Sequence, residues 1–166
     1  MKKLLLLSFL IISNLTAFGQ YDIKTVNRPD GVTMKYFNPI PVSIVNNYEA
    51  ALSLYKNTND KTYFLSITVL FKTNTPTELN GNLIIQTTGN NGISLKPVMH
   101  KLINMNGRNV ASSMYILTNR DIIELKSKLI KLISFYVNDQ PIGLNLTKNK
   151  DLLIKEFSII TTTKKI

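Results

Sequence analysis

His100 is the one histidine of the chain, and it follows Val98 and Met99 on a run that reads as a strand. With no Cys in the sequence, a zinc site around it would have to be completed by carboxylates. The nearest acids along the chain, Glu78 and Asp121, stand far off on either side. A Ser-His-Asp triad has its residue types present, but there is no Gly-x-Ser-x-Gly elbow to present a serine. His100 therefore reads as structural or merely exposed.

The chain has ten Asp and Glu, and turns or helix starts already explain most of them. Asp30 and Asp60 fall in turn clusters, Asp121 and Asp151 at helix starts, and Asp139 before Pro141. Asp22 stands near the start of the expected domain, and Glu49, Glu78, Glu124 and Glu156 are left over. Nothing in the pattern brings two of them to the roughly 5–10 Å that glycoside hydrolysis needs. Gly89-Asn90-Asn91-Gly92 lacks the Lys and the following helix of a phosphate-binding loop, and residues 57–60 (Asn-Thr-Asn-Asp) lack the Gly and Glu spacing of an EF-hand. No catalytic, cofactor-binding or metal-ligating residue is assigned, and no cofactor is expected.

The remaining chemistry is positive charge. Formal net charge is +10, or 10 − 2 = +8 once Lys2 and Lys3 are set aside with a segment expected to be removed. Arg accounts for only three of the 20 basic residues, which weighs against planar, bidentate phosphate recognition and for a solvated lysine surface. One cluster stands out. Lys126, Lys128 and Lys131 lie beside Phe135 and Tyr136, so Lys126, Lys128, Lys131 and Tyr136 form a candidate patch for an anionic ligand. An acidic glycan or lipid head group suits an exported protein better than nucleic acid does. With no Trp, a flat platform for sugar falls to tyrosines such as Tyr55, Tyr63, Tyr115 and Tyr136.

Export is read from residues 1–19. Lys2 and Lys3 make a positive start, residues 4–12 (LLLLSFLII) a short apolar run, and Ala17-Phe18-Gly19 a small-x-small site, with cleavage expected before Gln20. The run is shorter than the roughly 20 residues that span a bilayer. This segment, and only this segment, resembles the export signals of Bacteroidetes, where a Gly-Gln junction is familiar. An export signal implies a periplasmic, surface or secreted protein. Length and an even composition make residues 20–166 a single β-rich domain, with no transmembrane segment expected after cleavage.

Within that domain, residues 21–26 and 32–37 are strand-like around Arg28-Pro29-Asp30-Gly31, a turn in which Pro presets φ and Gly accepts a positive value. Pro39 and Pro41 demote residues 40–45 to an edge strand or connecting arm. Residues 49–56 and 62–72 should form the central antiparallel hairpin. Tyr63, Leu65, Ile67, Val69 and Phe71 share one face there, and burying them contributes on the order of 10 kcal/mol at about 2 kcal/mol each. Asp at Ile67 or Val69 is expected to abolish folding. Residues 73–81 read as a loop, 82–88 and 93–103 as strands joined by the turn at 89–92, with Pro97 marking a bulge or an edge. Residues 105–109 then turn the chain.

Alternation over residues 110–117 predicts a strand with one better-buried face. Thr118 is then an N-cap with Asp121 reaching back to it, and Leu117 and Ile122 flank the cap as a hydrophobic staple. The spacing predicts a helix over 119–127, because residues 130–137 (IKLISFYV) are β-branched and aromatic and lead through Asp139-Gln140-Pro141 into a strand over 142–146. Ile122, Leu125, Leu129, Leu132 and Ile133 also fit one face of a longer helix reaching about 133. Asn149 or Thr147 can cap a second helix whose Leu153, Phe157 and Ile160 share a face, and residues 161–166 are an edge strand or a frayed tail.

The fold expected is mainly β, bordering on α+β: an antiparallel β-sandwich or partly open barrel of about 8–10 strands, with two short helices near the C-terminus. The function expected is a non-catalytic binding or interaction module of the cell envelope or extracellular space. An envelope protein or an acidic polysaccharide is the partner class, and nucleic acid is disfavoured. Two alternatives stay open: a structural or assembly subunit, and a hydrolase whose site the pattern does not reveal.

Overall fold

The computed structural model describes residues 21–45, 47–72, 77–89, 92–105 and 108–162. The expected export signal and its cleavage point lie outside them, as do the centre of the 89–92 turn and residues 163–166. Eleven strands and two helices make up the described chain, and every strand pair is antiparallel. Seven strands form one sheet: β1 (Lys24–Asn27), β2 (Thr33–Tyr36), β3 (Ile40–Ile44), β4 (Tyr48–Asn57), β5 (Tyr63–Phe71), β8 (Pro97–Met105) and β9 (Arg108–Ile116). Their order is β1-β2-β4-β5-β9-β8, with β3 also on β4. The second sheet runs β11-β10-β6-β7, from β6 (Leu79–Thr87), β7 (Gly92–Leu95), β10 (Ile130–Val137) and β11 (Gln140–Asn145). The helices are α1 (Asn119–Ser127) and α2 (Leu152–Thr162). The sheets do not close into a barrel, and the architecture is sandwich-like.

The central hairpin forms as the alternation requires, in register from Tyr48↔Phe71 to Lys56↔Tyr63. Leu65, Ile67, Val69 and Phe71 of β5 are buried, beside Ala50, Leu52 and Leu54 of β4 and Ala111 and Tyr115 of β9. They meet Leu83 and Ile85 of β6, Ile93 and Leu95 of β7, and Ile133 and Phe135 of β10 in one cluster. The first hairpin also forms, with Gly31 at φ +80° and Arg28 bridging to Asp30 at 2.8 Å.

Four expectations are corrected. Strand β6 starts at Leu79, inside the stretch read as a loop. The run read as a single strand over 93–103 breaks at Lys96, so that β7 pairs with β6 in one sheet while β8 pairs with β9 in the other. Pro97 thus stands where the chain changes sheets, and this split gives eleven strands instead of ten or fewer. Residues 140–141 belong to β11. The turn itself is Asn138-Asp139, both residues at positive φ (46° and 65°), as a two-residue hairpin needs. Finally, Thr161 and Thr162 continue α2 and are not a strand. The Asn149 side chain does not cap that helix; its Nδ2 donates to the Pro41 carbonyl at 2.8 Å.

The helix over 119–127 is confirmed against the longer reading. Thr118 N–H donates to Asp121 Oδ2 at 2.9 Å, and Asp121 N–H to Thr118 Oγ1 at 3.3 Å, which completes the capping box. Lys128 then turns extended, and its amide closes the last turn on the Glu124 carbonyl.

Strands β2 and β3 together make one interrupted neighbour of β4. Both lie along the same side of β4, β2 opposite residues 55–57 and β3 opposite 49–52. Asn38 and Pro39 interrupt the ladder between them, since Pro has no amide to donate.

Candidate functional site

Two places in this scaffold hold polar groups in settings that differ from an ordinary solvated surface. The first is a trough of about 570 Å³ between β7 and α1. Gly92, Ile93 and Ser94 line one side, and Thr118, Arg120, Asp121, Ile123 and Glu124 the other. The volume falls within the roughly 300–1,000 Å³ range of ligand clefts.

The capping box fixes the start of α1 beside the sheet. The other end is tied to β6, where Thr87 Oγ1 donates to Glu124 Oε1 and the Thr88 amide donates to the Leu129 carbonyl at 2.8 Å. Leu125 is the buried anchor of the helix, and Ile123, on another face, is 71% exposed. The two carboxylates of the trough are thereby engaged, Asp121 by Thr118 and Glu124 by Thr87. Arg120 is exposed and makes no ion pair among the described residues.

The second place is the interior carboxyl of Glu156. It projects from α2 on the same face as Leu153, Phe157 and Ile160, all buried. Glu156 itself is 0% exposed, and its Oε2 accepts from the Leu54 amide at 2.9 Å. The Leu54 amide lies on the edge of β4 where the β2/β3 ladder is interrupted, so the carboxyl supplies the acceptor that a continuous strand would have given. Burial pushes its pKa up to about 9, against the smaller opposing effect of the Leu54 hydrogen bond. At neutral pH it is a carboxylic acid. The Oε1 atom has no hydrogen-bond partner among the described residues, which is costly for a buried polar atom.

The residues of the lysine patch expected from sequence take different surroundings. Lys126 lies over aromatic rings at the seam of the two helices, its Nζ 5.4 Å from the Phe157 centroid and 6.0 Å from that of Tyr63. Lys128 is the C-cap of α1, and Lys131 is exposed on β10. Tyr136 stands five residues along β10 from Lys131, roughly 17 Å at strand rise. Its ring covers Gly81, where a Cβ would come within 2.9 Å of it. Gly81 sits at φ +79° in the irregular stretch of the β6–β10 ladder, so Tyr136 acts there as packing. Phe135 is core, and so is Tyr115.

His100 is exposed on β8, yet the fold brings Glu78 near it. Both line a pocket of about 60 Å³ together with Leu79, Lys101 and Leu102. Separation along the chain was a poor guide here, because β6 packs across β8. Among the described residues no group of three His, Cys, Asp or Glu is placed to hold a metal.

No protein-family model matches this chain, and neither does any curated protein or solved structure.

Sequence reasoning missed both places for different reasons. The trough has its sides in residues 92–94 and 118–124, which only the β7/β8 sheet change brings together. Its one sequence signal is Ile123, an apolar residue off the face defined by Ile122 and Leu125. Glu156 was legible, since an acid three residues after Leu153 and just before Phe157 sits on the buried stripe of a helix.

Proposed function

We propose that this protein is an exported, non-catalytic binding module of the cell envelope or extracellular space, and that the trough between β7 and α1 is its contact site. The trough itself is the observation that carries the reading. It is concave, of ligand-cleft size, and pairs an exposed apolar side chain, Ile123, with a cation, Arg120, that makes no ion pair among the described residues. The export-type start of the sequence supports the compartment, and no helix among the described residues is long and apolar enough to cross a membrane. Retention of the exported chain on immobilised cell-envelope extract, reduced by Ile123→Asp, is the expected result. Clean flow-through at low salt removes the reading.

A structural or assembly subunit is the second reading, favoured by the edge strand β8. Its Val98, Met99 and Leu102 are 51%, 53% and 39% exposed, and edges of that kind invite strand pairing. Light scattering at high concentration tests it, and a strict monomer sinks it.

A further inference from the structure

Strand β7 ends the four-stranded sheet. It pairs with β6 on one side, and among the described residues no strand takes the other side. Unpaired backbone donors and acceptors along such an edge are satisfied either by water or by another extended chain. The trough runs beside this edge, because Gly92, Ile93 and Ser94 of β7 form one of its walls.

The size of the space admits a short extended segment. An extended residue rises about 3.3 Å, sits about 4.8 Å from its neighbouring strand and occupies a layer about 10 Å thick, so four residues fill roughly 600 Å³. The trough holds about 570 Å³, beside an edge four residues long. One added strand of the length of β7 fits it.

The lining selects among ligand classes. Among the described residues it has no aromatic ring on which a sugar could stack. It places two carboxylates against one cation, which disfavours polyanions such as nucleic acid or acidic glycan. Both carboxylates already accept hydrogen bonds from Thr118 and Thr87, whereas Arg120 makes no ion pair among the described residues. An acidic side chain is its natural complement. Ile123 supplies the apolar contact for a residue of opposite parity on the incoming strand.

We infer that the trough receives an extended polypeptide segment of a partner protein, which adds a strand to the free edge of β7, packs an apolar side chain on Ile123 and sets an acidic one against Arg120. This rests on the reading of the trough as a contact site and names the class of its ligand. Recognition is then mostly through the main chain, with the two side chains setting register and preference.

The test is selection of a displayed random octapeptide library on the full chain as exported, followed by fluorescence anisotropy with the enriched peptides made synthetically. Arg120 and Ile123 are both exposed, so Arg120→Glu and Ile123→Asp keep the fold, which unchanged melting curves verify. The expected peptides alternate apolar and polar residues, lack Pro at their centre and contain an acid. Each variant should weaken their binding by about tenfold or more, the size of one charged or buried contact. Selection on Arg120→Glu should favour Lys or Arg in place of the acid. No enrichment, or enriched peptides indifferent to both variants, overturns strand addition. So does a dimer broken by Ile123→Asp, which would make a second copy the occupant. Retention on envelope extract without peptide enrichment rejects strand addition alone. Flow-through of the extract together with no enrichment rejects the binding module as well.

Discussion

The two helices occupy similar positions after strands of the same sandwich, yet they treat the sheets in opposite ways. In α2, Leu152, Leu153, Glu156, Phe157 and Ile160 are all buried, and the helix closes the gap between β2 and β3 along the edge of β4. The chain leading into it is stitched to that edge by the Thr147 amide on the Val42 carbonyl at 3.1 Å and by Asn149 on Pro41. In α1 only Leu125 is buried, and the helix stands off β7 to leave a trough. One helix completes a sheet by inserting an acceptor into a gap in the ladder. The other leaves a sheet edge open and flanks it. The buried carboxyl of Glu156 thus has a structural task in the ladder, whereas the proposed contact site is built from ordinary surface residues.

The contrast is broken most severely through α2. Phe157→Ala should cost about 3–5 kcal/mol, the usual range for a buried Phe, in urea denaturation. A loss below 1 kcal/mol would mean that α2 is not the closing element. Next comes its carboxyl. Glu156 ionises near 4.5 in an unfolded chain and near 9 in the folded one. Between those values the folded chain keeps a proton that the unfolded chain has lost. The stability that this group contributes is thus greatest below pH 4.5, falls as pH rises at up to about 1.4 kcal/mol per unit, and levels off above about 9. Glu156→Gln retains an acceptor for the Leu54 amide and should flatten this dependence between pH 5 and 9. An unchanged slope in Glu156→Gln would show that the carboxyl is not the group that titrates.

Smaller effects are expected at α1. Thr118→Ala removes the cap that starts it and should cost about 1 kcal/mol, with loss of the 119–121 amide protection. Ile123→Asp and Arg120→Glu should leave stability within about 0.5 kcal/mol, as exposed substitutions do. A larger loss at either position would place them in the packing and not on an open wall.

Legibility in the sequence followed the range of the interactions. The capping box at Thr118 and Asp121, the β4–β5 hairpin and the turn at Arg28–Gly31 are local, and each was readable from a few adjacent residues. The division of residues 93–103 between two sheets was not. Its apolar pattern runs on through Lys96-Pro97, and only pairing with β6 or β9 decides where each half belongs. The surroundings of the lysine-patch residues were not readable for the same reason, since Lys126 turns onto Phe157 and Tyr136 onto Gly81. Carboxylates read as turn and cap residues kept those roles: Asp30 accepts from the Val32 amide and Asp121 from Thr118. Asp139 gained a further partner in Asn80, whose Nδ2 donates to it at 2.8 Å from across the sheet.

Residue-resolved native-state hydrogen exchange at pH 7 compares the closed and the open edge in one experiment. The Leu54 amide, held by Glu156, should exchange only through global unfolding, while outward amides among Gly92–Leu95 should exchange at far lower free energy and slow when a selected acidic peptide is added. A Leu54 amide that exchanges early, or β7 amides already protected to the global level and insensitive to peptide, would contradict the assignment of the closed edge to α2 and the open one to α1.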